Sequence, residues 1–256
     1  MSRRGQIFDN PVTRERAVIL TDPDEHPDGV LVAHLFVRPG GRVAVAHWHP
    51  ACRERFHVIA GQVGFLIGQS RRTLGPGDAA EIPPGTLHDW WQVGADEAQV
   101  IVEVAPGGRF VEMVGTTFGL ARDGLVDRRG IPRPLQLAVT ARHYRDVMVI
   151  ASPPPWAQRI LFALLAPIGR LFGLRPGYPK YFHSSVVTTP APEALAMLSA
   201  DGRLRTAAPV VSHTAPPASR SSPYLCVNGT HGEAPRVLHA ALASATSFDS
   251  SRDMST

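Results

Sequence analysis

Two cysteines, Cys52 and Cys226, are the only thiols in the 256 residues, too few to staple a small secreted domain. A reducing compartment, by default the cytoplasm, is the expected setting. The N-terminus agrees, because no apolar run of the export-signal kind follows Arg3 and Arg4. Lysine is nearly absent as well, Lys180 being the only one. The formal charge of +4 therefore rests on scattered arginines, with no stripe of cations and interleaved aromatics of the sort a nucleic-acid groove requires. No nucleic-acid partner is expected. Nor is there a run that crosses a bilayer: the uncharged stretch Ile160 to Gly169 supplies about half of the roughly 20 residues a span needs. No repeat at solenoid spacing is visible.

What is present is a hydrophobic fraction of 44%, ordinary for a chain that buries a core, distributed unevenly. From Arg16 to Val104 short runs rich in Val, Ile, Phe and Leu alternate with Gly and Pro turns. The expected strands are Ala17 to Leu20, Val30 to Val37, Val43 to Trp48, Arg55 to Ala60, Val63 to Ile67, Asp78 to Ile82, Asp89 to Val93 and Gln99 to Val104. Many short strands at near-regular spacing indicate a sandwich or barrel, and this number suits a jelly roll.

After Pro106 the apolar period lengthens. Phe110, Val114, Phe118 and Ala121 fall on one helix face, and Leu135 to Tyr144 reads as helical after the breakers Gly130, Pro132 and Pro134. Beyond Pro153 to Pro155, an apolar stripe of Trp156, Ile160, Leu164, Ile168 and Phe172 is flanked by Arg159 and Arg170. Pro167 is expected to kink or interrupt that helix. The stripe has two readings: packing on the barrel or a partner subunit, which is favoured, or shallow contact of 156–172 with a lipid surface. Past Tyr181 the chain is rich in Ala, Ser, Thr and Pro, and apart from a short helix at Pro192 to Leu198 it has too little apolar area to offset its ordering entropy. The expected organisation is a β-barrel domain over 1–106, a helical extension over 107–180 and a disordered tail over 181–256.

Two sequence blocks carry chemistry. One runs Gly41, His47, Trp48, His49, Glu54, Gly61; the other runs Gly77, Pro83, Pro84, Gly85, His88. Side chains two apart on a strand share a face, so His47 and His49 are expected to point into the barrel together with Val43 and Val45. Glu54, Phe56 and Val58 share a face of the next strand, and His88 begins another. Three imidazoles and a carboxylate suit Fe(II), Mn(II), Ni(II), Cu(II) or Zn(II), with positions left for substrate or water. The glycines fit turns needing positive φ or close backbone approach, and Pro83 stiffens the path to His88.

These blocks resemble motif 1 and motif 2 of the cupin superfamily, matching its usual ligands at His47, His49, Glu54 and His88. The resemblance covers about residues 30 to 105. It implies a mainly β, RmlC-like jelly-roll barrel holding one divalent transition metal, frequently as a homodimer, and residues 107–180 look like the C-terminal extension of some single-domain bacterial cupins. One departure stands out: Gln92 occupies the position, four after the second-motif histidine, where the family often has Asn.

The reading that follows is a metal-dependent enzyme acting on a small organic molecule, dioxygenase-like or isomerase-like, in which Glu54 is a candidate proton shuttle. Phe56, Trp90 and Gln92 are candidate pocket residues, with ordinary core packing an equal alternative for the two aromatics. Two rivals stay open: a metal-free barrel whose polar cluster binds substrate directly, and a non-catalytic binding or sensor module. His34 and His57 lack the spacing of further ligands. Cys52, with no base partner, reads as a bystander.

Overall fold

The computed structural model describes residues 2–182, 186–205 and 211–212. Two sheets form the barrel. The first comprises β1 (Ile7–Asn10), β2 (Glu15–Thr21), β3 (Leu31–Val37), β5 (Arg53–Ala60), β8 (Ala79–Ile82), β10 (Ala98–Ala105) and β12 (Val211–Ser212). The second holds β4 (His47–Trp48), β6 (Gln62–Ile67), β7 (Ser70–Leu74), β9 (His88–Val93) and β11 (Val149–Ile150). Their orders are β1-β2-β3-β10-β5-β8-β12 and β11-β4-β9-β6-β7. From β3 to β6 the chain changes sheet at every connection, so residues adjacent in sequence face one another across the interior. Gly61 makes one such corner at φ 67°, where a Cβ would sit 2.7 Å from the Glu97 carbonyl oxygen. Gly77 and Gly85 also hold positive φ, as the turns of both blocks demand.

The interior fills because the strands alternate. Phe56 and Val58 of β5 meet Phe65 and Ile67 of β6, Trp90 of β9 and Val100 of β10 in one buried cluster. All eight expected strands are found, although the third is reduced to His47–Trp48. A bend at Ala44–Val45 breaks the alternation there. Val43 keeps to the barrel core, but Val45 packs among the helices instead, so only Val43 shares the interior with the histidines. The strands β1 and β7 were not expected. β7, SRRTL, is an edge strand with exposed Arg71 and Thr73, and an edge tolerates polar residues that hide its period.

The helices are α1 (Gly108–Arg122), α2 (Pro134–His143), α3 (Pro155–Leu171), α4 (Pro179–Phe182) and α5 (Pro192–Ala196). They are less separate from the barrel than the sequence implied. The described residues fall in one compact unit, α1 buries Val111 and Phe118 in the barrel core, and β11 extends the second sheet by pairing with β4. The α3 helix runs through Pro167 without interruption. Its missing N–H is tolerated on an outward-facing turn, where Pro167 is exposed.

The tail also departs from expectation. Residues 186–205 lie on the outer face of the first sheet, where Ala194 and Leu204 cover Leu20, Val30, Val32 and Ile101. The Leu204 amide donates to buried Glu103 at 2.8 Å, Arg55 donates to the Leu204 carbonyl, and Thr21 donates to the Gly202 carbonyl. Disorder beginning at residue 181 is therefore corrected for this segment. It needs no core of its own, because it completes one the barrel leaves open. The rest of the expected tail lies outside the described residues apart from Val211–Ser212, and His183 and Cys226 lie there with it.

At the junction of barrel and α1, a Cβ on Gly107 would meet the Leu31 Cβ at 2.3 Å and the Leu31 backbone nitrogen at 2.8 Å. Backbone cannot step aside as a flexible side chain can. Gly107→Ala is expected to cost about 2–3 kcal/mol, measured as a lower urea midpoint at unchanged slope.

Candidate metal centre

Each side chain of the centre is aimed by a different piece of the jelly roll. His47 on β4 stands opposite His88 on β9 in the second sheet, and their ring centroids are 4.3 Å apart. His49 lies just past β4, on the same face. Glu54 comes from β5 in the other sheet and crosses the interior to meet all three. One ligand atom from each of the four residues lies within 4.8 Å of every other, and all four are buried.

The tautomers follow from the backbone. Nδ1 of His47 lies 2.8 Å from the Val45 carbonyl oxygen, Nδ1 of His49 lies 2.7 Å from that of Val147, and Nδ1 of His88 lies 3.0 Å from that of Thr86. A carbonyl only accepts, so each Nδ1 carries the proton and donates. In the neutral ring the lone pair is then on Nε2. Nε2 of His49, Nε2 of His88 and Oε2 of Glu54 are buried and without a hydrogen-bond partner. Glu54 Oε2 approaches His88 Nε2 at 3.0 Å and His49 Nε2 at 3.4 Å, but neither approach has the direction of a hydrogen bond. These are the separations expected of adjacent ligands around one ion with bonds of about 2.0–2.2 Å. Orphaned buried acceptors are costly, and a cation satisfies them together. The cluster is able to hold a divalent metal.

Its electrostatics are those of an acceptor set. Burial, reinforced by the neighbouring His88 and His49 rings, pushes the His47 imidazole down to about 3, so that ring stays neutral. Burial also works to raise the Glu54 carboxyl, but His49 and His88 outweigh it and hold the group well below the usual carboxylate range. His49 shows the converse balance: burial acts to lower it, yet the Glu54 carboxylate and the Val147 carbonyl carry it above the ordinary histidine value. Glu54 is thus an anion among imidazoles, and His49 is held more basic than an ordinary histidine when no cation is bound.

The cupin resemblance can now be tested. Residues 33–107 match the family described as Cupin domain, a span that contains all four ligands. The chain carries a cupin domain. The chain is 36% identical over 86 residues to Germin-like protein 3-8 of Oryza sativa subsp. japonica, covering 32% of this chain and 38% of the relative. It is 34% identical over 94 residues to Germin-like protein subfamily T member 3 of Arabidopsis thaliana, covering 35% and 41%. The chain thus spans about two fifths of these relatives. The solved structure of KdgF from Halomonas sp. aligns over 36% of this chain and 81% of its own length, at 22% identity and a TM-score of 0.33.

Two contributors to the cupin centre come from outside the matched span. The Val147 carbonyl, which fixes His49, lies between α2 and β11, and Phe110 of α1 sets its ring 5.3 Å from the His49 ring. Phe110 was legible as part of an apolar helix face through its spacing to Val114 and Phe118, but nothing in that spacing indicated what it faces. Val147 acts through its backbone and left no signal at all.

The expected pocket residues divide. Phe56 packs edge-on to Phe65 at 5.1 Å, and Trp90 lies in the same core cluster, so both have packing partners independent of any substrate. Gln92 faces inward, but its amide is committed. Its nitrogen donates to the carbonyls of Val93, Gly94 and Asp96, and its oxygen accepts from the Gly40 amide. Gln92 therefore ties the turn after β9 to the start of the first block, and substrate contact would require breaking that tie. Burial pushes the Cys52 thiol up to about 11, with the Glu54 and Asp146 charges adding to the effect. A thiol held neutral is a poor nucleophile. His34 and His57 are buried away from the cluster: His34 stacks on Phe36, and His57 pairs across to Ile101 and Ala79.

Proposed function

We propose that this cupin domain is a metal-dependent enzyme acting on a small organic molecule, with His47, His49, Glu54 and His88 holding one divalent transition ion. The observation that carries the reading is the convergence of three imidazoles and a carboxylate from four buried residues, with Nε2 of His49, Nε2 of His88 and Oε2 of Glu54 left without a hydrogen-bond partner. A bound ion there supplies Lewis acidity for isomerisation-type chemistry or, with redox-active iron, copper or manganese, a route to dioxygen chemistry. The chain's own residues do the rest. The carbonyls of Val45, Thr86 and Val147 hold the three rings in the ligating tautomer. Phe110 shields the His49 side from water, and Phe56 and Trp90 supply apolar wall. Glu54 supplies the one ionisable oxygen of the cluster and is the group there that would hold or move a proton.

Elemental analysis of the purified chain should find about one transition ion per molecule, and oxygen-uptake assays against flavonols, thiols and small diones then separate turnover from mere binding. Acidification gives an independent check. His49 titrates above the usual histidine range when the cluster is empty, with its Nδ1 proton already fixed, so the incoming proton takes the Nε2 that would ligate. Affinity for the ion is expected to fall about tenfold per pH unit once the pH drops below that raised value. Equilibrium dialysis from pH 8 to pH 5 measures it. A flat profile, or no uptake at pH 8, defeats the proposed site.

A further inference from the structure

The favoured expectation for α3 was that its apolar stripe packs on the barrel or on a partner subunit; within the chain the stripe does not pack on the barrel. The face that docks on α2 consists of Phe162, Ala166 and Gly169, in one cluster with Ala138, Val139 and Ile150. A Cβ on Gly169 would come within 2.7 Å of Val139 Cγ1's sister methyl, Cγ2, which shows how closely the two helices approach. The predicted stripe faces solvent instead: Trp156 is 68% exposed, Ile160 58%, Leu164 64%, Ile168 45% and Phe172 73%, and Leu171 beside it is 87% exposed. With 3.6 residues per turn, these side chains together with Leu161 and Pro167 sweep an arc of about 180°. Exposed apolar area of this continuity marks a site of association.

Charge indicates the partner. From Val147 to Pro192 the sequence contains no Asp or Glu, while Arg159, Arg170, Arg175 and Lys180 lie within it. On the helix wheel Arg159 and Arg170 fall side by side at one margin of the apolar arc, between it and the docked face, and both are exposed without a salt bridge among the described residues. A second copy of the chain laid against this face would bring cation to cation with no acidic group on α3 to answer it. An anionic bilayer surface meets both halves of the pattern, taking the apolar arc below the headgroups while the arginines remain among the phosphates. The helix cannot cross: it has 17 residues, and no helix among the described residues is long and apolar enough to span a membrane.

We propose that α3 is a preformed docking face that seats this chain on anionic lipid surfaces. The face is held rigid by α2 and stands apart from the metal centre, so neither idea depends on the other.

The test is flotation of the full-length chain with vesicles of pure phosphatidylcholine and with vesicles containing phosphatidylglycerol. At least a tenfold preference for the anionic vesicles is expected. Arg159→Gln with Arg170→Gln should lower binding to them roughly thirtyfold while leaving the neutral vesicles unaffected. Leu164→Glu with Leu171→Glu should lower binding to both by about a hundredfold or more. All four side chains are exposed, and unchanged circular dichroism would establish that the variants fold. Equal binding to both lipids, no binding by the intact chain, or binding that survives the glutamate pair overturns the proposal. So does a concentration-dependent dimer that the glutamate pair abolishes in the absence of flotation, since a second copy would then be the occupant.

Discussion

Converting both His47 and His49 to alanine is expected to reduce metal content from about one ion per chain to none detectable, and to abolish any turnover the native protein shows. Loss of a residue that merely orients a ligand typically weakens a site by about 10–100-fold. Two direct ligands of four should cost more than the square of the lower figure, leaving Glu54 and His88 with no measurable hold. The difficulty is the fold itself, because these rings also stabilise the buried Glu54 carboxylate. With His49 gone that carboxyl loses its main counterweight to burial and should bind a proton instead, so a second variant is paired with it. Glu54→Gln with the histidines intact removes the anion without opening a cavity, and should weaken metal uptake while leaving the melting transition in place. Turnover that persists in the double alanine variant would refute metal catalysis at this centre.

The ligands were legible before the structure because their spacing does two jobs. His47 and His49 alternate on a strand, and the turn through Pro83, Pro84 and Gly85 delivers His88 beside them, so the residues that make the barrel corner also make the site. Strand interiors were legible for the same reason: period-two alternation survives wherever both neighbours are strands. It failed where local geometry overrode it. The bend at Ala44–Val45 turned Val45 toward the helices, and β7 showed no period because an edge strand need not be apolar. Residues 186–205 were misread because composition reports whether a segment can bury its own core. It does not report whether another surface, here the outer face of β2, β3 and β10, leaves one unfinished. The stripe of α3 was seen and its destination was not: periodicity locates an apolar face, and Phe162, Ala166 and Gly169, the smaller and less conspicuous set, were the ones that docked. Val147 acts through its backbone carbonyl, and the Gln92 side-chain amide is spent on backbone partners, neither of which a side-chain pattern encodes.

Replacing Glu15 with glutamine is expected to stabilise the protein at neutral pH. Glu15 opens β2, paired with Asn10 on one side and Val37 on the other, and is buried. Burial raises its carboxyl to about 8, only partly offset by Thr13. The folded state therefore keeps a proton that the unfolded chain, titrating near the ordinary value of 4.5, has released. Stability from this group is fully present below the unfolded value and is lost as pH climbs toward the folded one, at about 1.4 kcal/mol per pH unit. By pH 7 the loss approaches about 3 kcal/mol, an upper figure because water penetration and relaxation soften burial. Glutamine presents nearly the same shape as the protonated acid and never ionises. Urea unfolding at pH 4.5 should give similar midpoints for the two proteins, with the glutamine variant pulling ahead as the pH is raised to 8. Parallel curves across that range would mean that Glu15 is solvated in the folded chain, and that the entrance to β2 is more open to water than its burial indicates.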